Sequence, residues 1–105
     1  MSYALVRQAI LEKKGIAAHY HGYYREMCPH VLGTKHGKQQ CLFYQFGGHS
    51  SSRPIQPDGS PANWRCIFID ELANVRIIEI DTWHSAPDHS RPQTCVDYVD
   101  AVVSY

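Results

Sequence analysis

The sequence predicts one small, mainly β domain with a single N-terminal helix. Three observations carry this. The chain has 105 residues, near the commonest size for a single domain, so it can bury one core. Helical spacing of apolar residues is confined to the first dozen or so positions. After Gly15 the pattern changes to short runs of β-branched and aromatic residues separated by Gly, Pro, Asn and Ser clusters. Sequential short strands of this kind pair as antiparallel neighbours in a small barrel or sandwich.

Each element has its own argument. Ser2 is an N-cap, Tyr3, Val6, Ala9 and Ile10 share a helix face, and Gly15 reads as the C′ residue, which places a helix over 2–14. Ile16 to Tyr20 is a short strand, and His21-Gly22 a tight turn. Tyr23 to Leu32 continues extended, with Pro29 demoting its part to an edge or a bulge because proline cannot donate to the ladder. Gly33 to Gly37 reads as a polar turn. Cys41 to Phe46 is the most apolar strand, with aromatic residues on both faces, and reads as central. Residues 47–63 form a long polar loop with three consecutive serines, and a loop of that length in a small domain commonly serves function. Trp64 to Ile69 is a strand, Asp70 to Ala73 a single helical turn opened by Asp70, and Val75 to Ile80 another strand. A polar connector over 84–93 leads to a tail, Cys95 to Tyr105, whose valines and tyrosines favour a strand.

Composition excludes several classes. Apolar residues make up 44% and charged residues 19%, as in ordinary globular chains, so bulk disorder is excluded. Ten basic and ten acidic residues cancel, which argues against coating nucleic acid by bulk electrostatics and leaves room for a local basic pocket. No apolar run approaches the ~20 residues that span a bilayer, so no membrane partner is expected. The start lacks the basic and apolar regions of a signal peptide, and the four cysteines are therefore expected as reduced thiols of a cytoplasmic protein.

Four chemistries are open to these residues, each beside a bland alternative. His19, His21, Cys28 and His30 offer zinc-ligand residue types, but no C-x-x-C or H-E-x-x-H spacing supports them. Cys28 beside His30 suggests an activated thiol, yet strand cysteines more often act as small buried hydrophobes. The carboxylates Asp70-Glu71 and Glu79-x-Asp81 are better explained as a helix start and a solvent-facing strand end. The fourth is a polar pocket from Tyr20, Tyr24, Arg25, Tyr44, Gln45, Trp64 and Arg65, in which guanidinium groups set among aromatic rings grip an anion and stack on a base. Its bland alternative is surface arginines around an aromatic core.

The stretch from Ile16 to Gly33 resembles the core of WYL domains. A strand ending in tyrosine leads through Gly22 to Arg25, then Pro29 four residues on, then Leu32 three further. The preceding Ala9-Ile10 pair and the later run Arg65-Cys66-Ile67-Phe68-Ile69-Asp70 fit the same pattern, as do Leu72 and Val75. The name-giving tripeptide is replaced by Gln40-Cys41-Leu42, and Glu71 stands where a second arginine is usual. The resemblance implies a small Sm/SH3-like five-stranded barrel over about 16–81, a C-terminal extension over 82–105, and a bacterial, cytoplasmic, non-enzymatic module of transcription regulation. It implies ligand binding, with a nucleotide or single-stranded nucleic acid as ligand and no cofactor. Tyr20, Arg25, Tyr44, Gln45, Trp64 and Arg65 are then the expected ligand-binding residues. A structural protein, with a homodimer as its partner, is the competing expectation. A metal- or thiol-dependent enzyme using Cys28, His30, His19 and His21 is the third.

Overall fold

The computed structural model describes residues 2–49, 54–86 and 95–104. Helix α1 spans Ser2–Glu12 and buries Val6, Ala9 and Ile10, the face expected from its spacing. It ends two residues earlier than the sequence suggested. Lys13 takes φ 54°, its N–H donates to Ile10 O at 3.2 Å, and Lys14 N–H donates to Ala9 O at 2.8 Å. That is a Schellman ending with lysine, not Gly15, at the left-handed position. Gly15 instead opens β1, where a Cβ would stand 3.0 Å from Ile80 Cγ2.

Six strands follow: β1 Gly15–Tyr20, β2 Tyr23–Lys35, β3 Lys38–Gly48, β4 Trp64–Phe68, β5 Leu72–Ile78 and β6 Tyr98–Val102. All pairings are antiparallel, in the order β4-β3-β2-β1-β5, and β6 adds to β2. Among the described residues β4 and β5 do not pair, so the sheet is open along that seam. The tail is thus a sixth strand of the same sheet and no mere extension, and Ala101 and Val103 enter the main core with Val6, Ile16, Leu32 and Phe43.

Two His-Gly turns shape the meander. His21-Gly22 and His36-Gly37 both have φ near 50° and then near 80°, which is the type I′ geometry that matches strand twist. The first was expected. The second is tighter than the Gly33–Gly37 turn read from sequence, because β2 and β3 run on to Lys35 and from Lys38. Gly33 lies inside β2 for another reason. A Cβ there would stand 2.0 Å from Tyr98 O, so only glycine admits β6 so close.

Pro29 sits in the middle strand, not at an edge. The ladder to β3 shifts register between Pro29 and Val31. On the other side β1 pairs as far as Met27 and β6 begins at Val31. The missing N–H therefore falls between two partners, and the bulge alternative is the one realised. The turn after β4 is a 3-10 turn, Ile69–Glu71, preceded by Phe68 with no side-chain cap, so Asp70 does not open it.

Candidate functional site

Strand pairing sorts the expected site residues onto two faces. Ala18 pairs with Arg25, Met27 with Gln45, and Phe43 with Arg65. Ala18, Met27 and Phe43 belong to the main core, so Arg25, Gln45 and Arg65 share its face, and Tyr20 packs against the same core. Tyr44 pairs with Trp64 on the opposite face, in a second cluster with Val31, Leu42, Ala86, Cys95 and Val96.

The inner-face group is built around Arg25. Its side chain is 2% exposed. The guanidinium carbon lies 4.8 Å from the centroid of the Tyr20 ring, a cation–π distance. Nη1 donates to Gln45 Oε1 at 3.5 Å. Nε and Nη2 have no hydrogen-bond partner, and among the described residues no carboxylate lies within ion-pair reach. Burial pushes the guanidinium below its ordinary pKa. Burial pushes Tyr20 up, with help from the Glu71 carboxylate, so its phenol stays protonated. Glu71 in turn meets His21 Nε2 at 2.9 Å, and His21 stacks on Tyr20 with centroids 3.9 Å apart.

Gln45 is oriented by the end of its own strand. Its Nε2 donates to Gly47 O at 3.0 Å and His49 O at 2.7 Å, which leaves Oε1 toward Arg25. Gly48 has φ 83° and lies so close to β2 that a Cβ would meet Tyr24 O at 2.2 Å and Arg25 Cα at 2.8 Å. The end of β3 thus presses directly on the backbone that carries Arg25. The sequence did not place His21, Glu71 and Gly48 beside the Arg25–Tyr20 pair, because that proximity depends on a turn and on register shifts in the sheet.

The other expected residues do different work. Arg65 donates from Nη1 to Ala62 O at 2.6 Å and Trp64 O at 3.1 Å, which locks the entry to β4. Tyr44 donates to Ser60 O at 2.8 Å and accepts from Gly59 N–H at 2.8 Å, so its hydroxyl organises the loop. Trp64 packs edge-on against Tyr44 and His30. Tyr44 and Trp64 are therefore second-core residues, and the expectation that they stack on a ring beside Arg25 is corrected by strand alternation. Asn63 is also buried and holds Gln56 in both directions, from Nδ2 to Gln56 O at 2.9 Å and from Gln56 N–H to Oδ1 at 2.8 Å.

The thiol and metal residues do not converge. Cys28 is fully buried, and burial pushes its thiol up to about 12, the reverse of an activated nucleophile. His30 Nε2 contacts His84 O at 3.0 Å between Trp64 and Trp83. His19 lies against Asn74 and Tyr24. Among the described residues no group of three His, Cys, Asp or Glu side chains could hold a metal ion. Tyr24 caps Glu26 with a 2.9 Å hydrogen bond at the outer side of β2. The expectation of four reduced thiols is also revised: Cys66 and Cys95 form a disulfide, while Cys28 and Cys41 stay in the cores. The return of the tail to the sheet brings Cys95 against β4, which spacing alone does not reveal.

No helix of the described residues is long and apolar enough to cross a membrane. No family model matches the chain, and no curated protein or solved structure is detectably similar to it.

Proposed function

We propose that the chain is a non-enzymatic, cytoplasmic regulatory module of WYL type that binds the anionic group of a nucleotide or of single-stranded nucleic acid at Arg25. The supporting observation is the buried guanidinium with two of its nitrogens, Nε and Nη2, lacking a hydrogen-bond partner. A buried charge without a partner costs several kcal/mol, and such a cost persists where a ligand supplies the missing anion. Tyr20 provides a ring face beside the cation, and Gln45 an oriented amide. Arg65, bound to its own backbone, positions the strand and makes no ligand contact in this reading. The strand order β4-β3-β2-β1-β5, with a 3-10 turn joining β4 to β5, supports reading the open sheet as a small Sm/SH3-like barrel.

The test separates binding from folding. Arg25→Met removes the charge at similar volume, and replacing an uncompensated buried ion by an apolar group is expected to raise stability by about 1–4 kcal/mol. The same variant is expected to lose the thermal stabilisation that inorganic phosphate, AMP or short oligodeoxythymidylate gives the parent chain. A variant that is destabilised, or that binds these probes as the parent does, refutes the site.

A second reading rests on β6. Tyr98, Val99 and Val102 are 77%, 59% and 55% exposed on a strand that, among the described residues, pairs along one edge. That pattern suits a homodimer joined through strand edges. Elution at twice the chain mass, abolished by Val99→Lys, would favour it.

A further inference from the structure

The disulfide is part of a cavity wall. A cavity of about 430 Å³ is lined by Lys35, His36 and Lys38 of the β2–β3 hairpin, by Phe68, and by both Cys66 and Cys95. Among the described residues Gln40 is the remaining lining residue, and its Nε2 lies 3.8 Å from Cys66 Sγ. None of these groups is acidic. Phe68 gives an apolar floor, with Lys38 Nζ 5.9 Å from its ring centroid. The two cysteines differ in exposure, since Cys66 is an exposed residue on β4 whereas Cys95 is 4% exposed. Cationic walls beside an accessible disulfide have a specific chemical consequence. They concentrate anionic thiols, favour the attacking thiolate over the thiol, and stabilise the thiolate that leaves.

We propose that Cys66–Cys95 is a thiol–disulfide exchange site for low-molecular-weight thiols that carry carboxylates. The incoming thiolate attacks Cys66 Sγ, forming a new S–S bond there. The Cys66–Cys95 bond breaks, and Cys95 departs as a thiolate that takes a proton from solvent. A second molecule of the same thiol attacks the mixed disulfide, releasing the small-molecule disulfide and leaving Cys66 reduced. The protein disulfide gains two electrons and two protons, and two small thiols are oxidised to one disulfide. Lys38 and His36 hold the carboxylates at the mouth, and the Gln40 amide faces the Cys66 sulfur as it becomes a thiolate. The site shares no residue with the Arg25 group, so either can fail without the other.

The experiment compares glutathione, neutral mercaptoethanol and cationic cysteamine on the oxidised chain at equal thiolate concentrations, with adducts located by peptide mass mapping. The expected result is a mixed disulfide on Cys66 that forms faster with glutathione than with cysteamine by on the order of fivefold at low salt. That ratio falls toward one in about 1 M salt, where charges are screened within ~3 Å. Lys38→Glu, a change at an exposed hairpin position, lowers the ratio on the order of fivefold. Equal rates for the three thiols, an adduct confined to Cys95, or two free thiols at these positions in air-oxidised protein would each overturn the proposal.

Discussion

At the scale of single residues, the half-buried Tyr3 hydroxyl and the buried Cys28 thiol both contribute to the alkaline behaviour. Tyr3 is pushed up to about 12 by burial and by its hydrogen bond to Asp100. Cys28 is pushed up to about 12 by burial. Both groups hold their protons more tightly in the folded chain than in the unfolded one. Their contribution is therefore complete below about pH 9, where the unfolded thiol also keeps its proton, and is lost as pH rises toward about 12. Stability measured by denaturant titration is expected to fall across that window. The double variant Tyr3→Phe with Cys28→Ala should show a shallower fall, whatever its stability at neutral pH. An equally steep profile would assign the alkaline loss to other groups. Residue identity made part of the site readable. The nearness of Arg25 to Tyr20 was legible because the His21-Gly22 turn folds β1 directly back on β2. Tyr44 and Trp64 were misplaced because each directly precedes another expected site residue, Gln45 and Arg65, and neighbours on one strand point to opposite faces. Relating those strands to Arg25 further runs through register shifts at Glu26/Met27 and Pro29/Val31. A single uncounted bulge moves a side chain to the other face.

At the scale of elements, the docking of β6 on β2 depends on one glycine. Gly33 faces the backbone of Tyr98 and Val99. Gly33→Ala puts a methyl carbon where Tyr98 O stands, so β6 must move away or β2 must bend. A loss of at least about 1–3 kcal/mol is expected, the range for overpacking a close contact. Chemical unfolding monitored by circular dichroism measures it, and a change below about 0.5 kcal/mol would show that β6 docks loosely. Tyr3 and Arg7 of α1 both contact Asp100 of β6, Arg7 Nε at 3.2 Å, so the helix clamps the same strand from outside. Local pattern revealed α1, β1, β3 and the first His-Gly turn. It could not reveal that Gly33 serves a partner more than sixty residues away, and the glycine was read as a turn residue. Lys13 was missed at the helix end for a similar reason: a left-handed lysine leaves no compositional trace.

At the scale of the molecule, the disulfide ties β4 to the segment entering β6 across a separation of 29 residues. Closing a loop of that length is worth about 3.6 kcal/mol through the entropy of the unfolded chain. Cys66→Ser and Cys95→Ser, singly and together, are each expected to lower stability by about that amount under oxidising conditions and by little in excess reductant. Equal stability of parent and variants in air would place the sulfurs apart in solution. The mainly β class behind one N-terminal helix was readable from period and length, whereas the membership of the tail in the sheet was not. Only the long-range pairing of Val31 to Thr34 with Tyr98 to Val102 decides it.

The divided edge of β2 has a consequence for cooperativity. β1 and β6 occupy the same edge in succession, with Pro29 at the seam and no amide there to protect. Opening of β6 deprotects the backbone from Val31 to Thr34 and leaves the pairs from Ile16 to Tyr20 intact. Amide exchange along this one strand therefore divides at its proline into two separately opening units, although β3 pairs with it on the other edge on both sides of that proline.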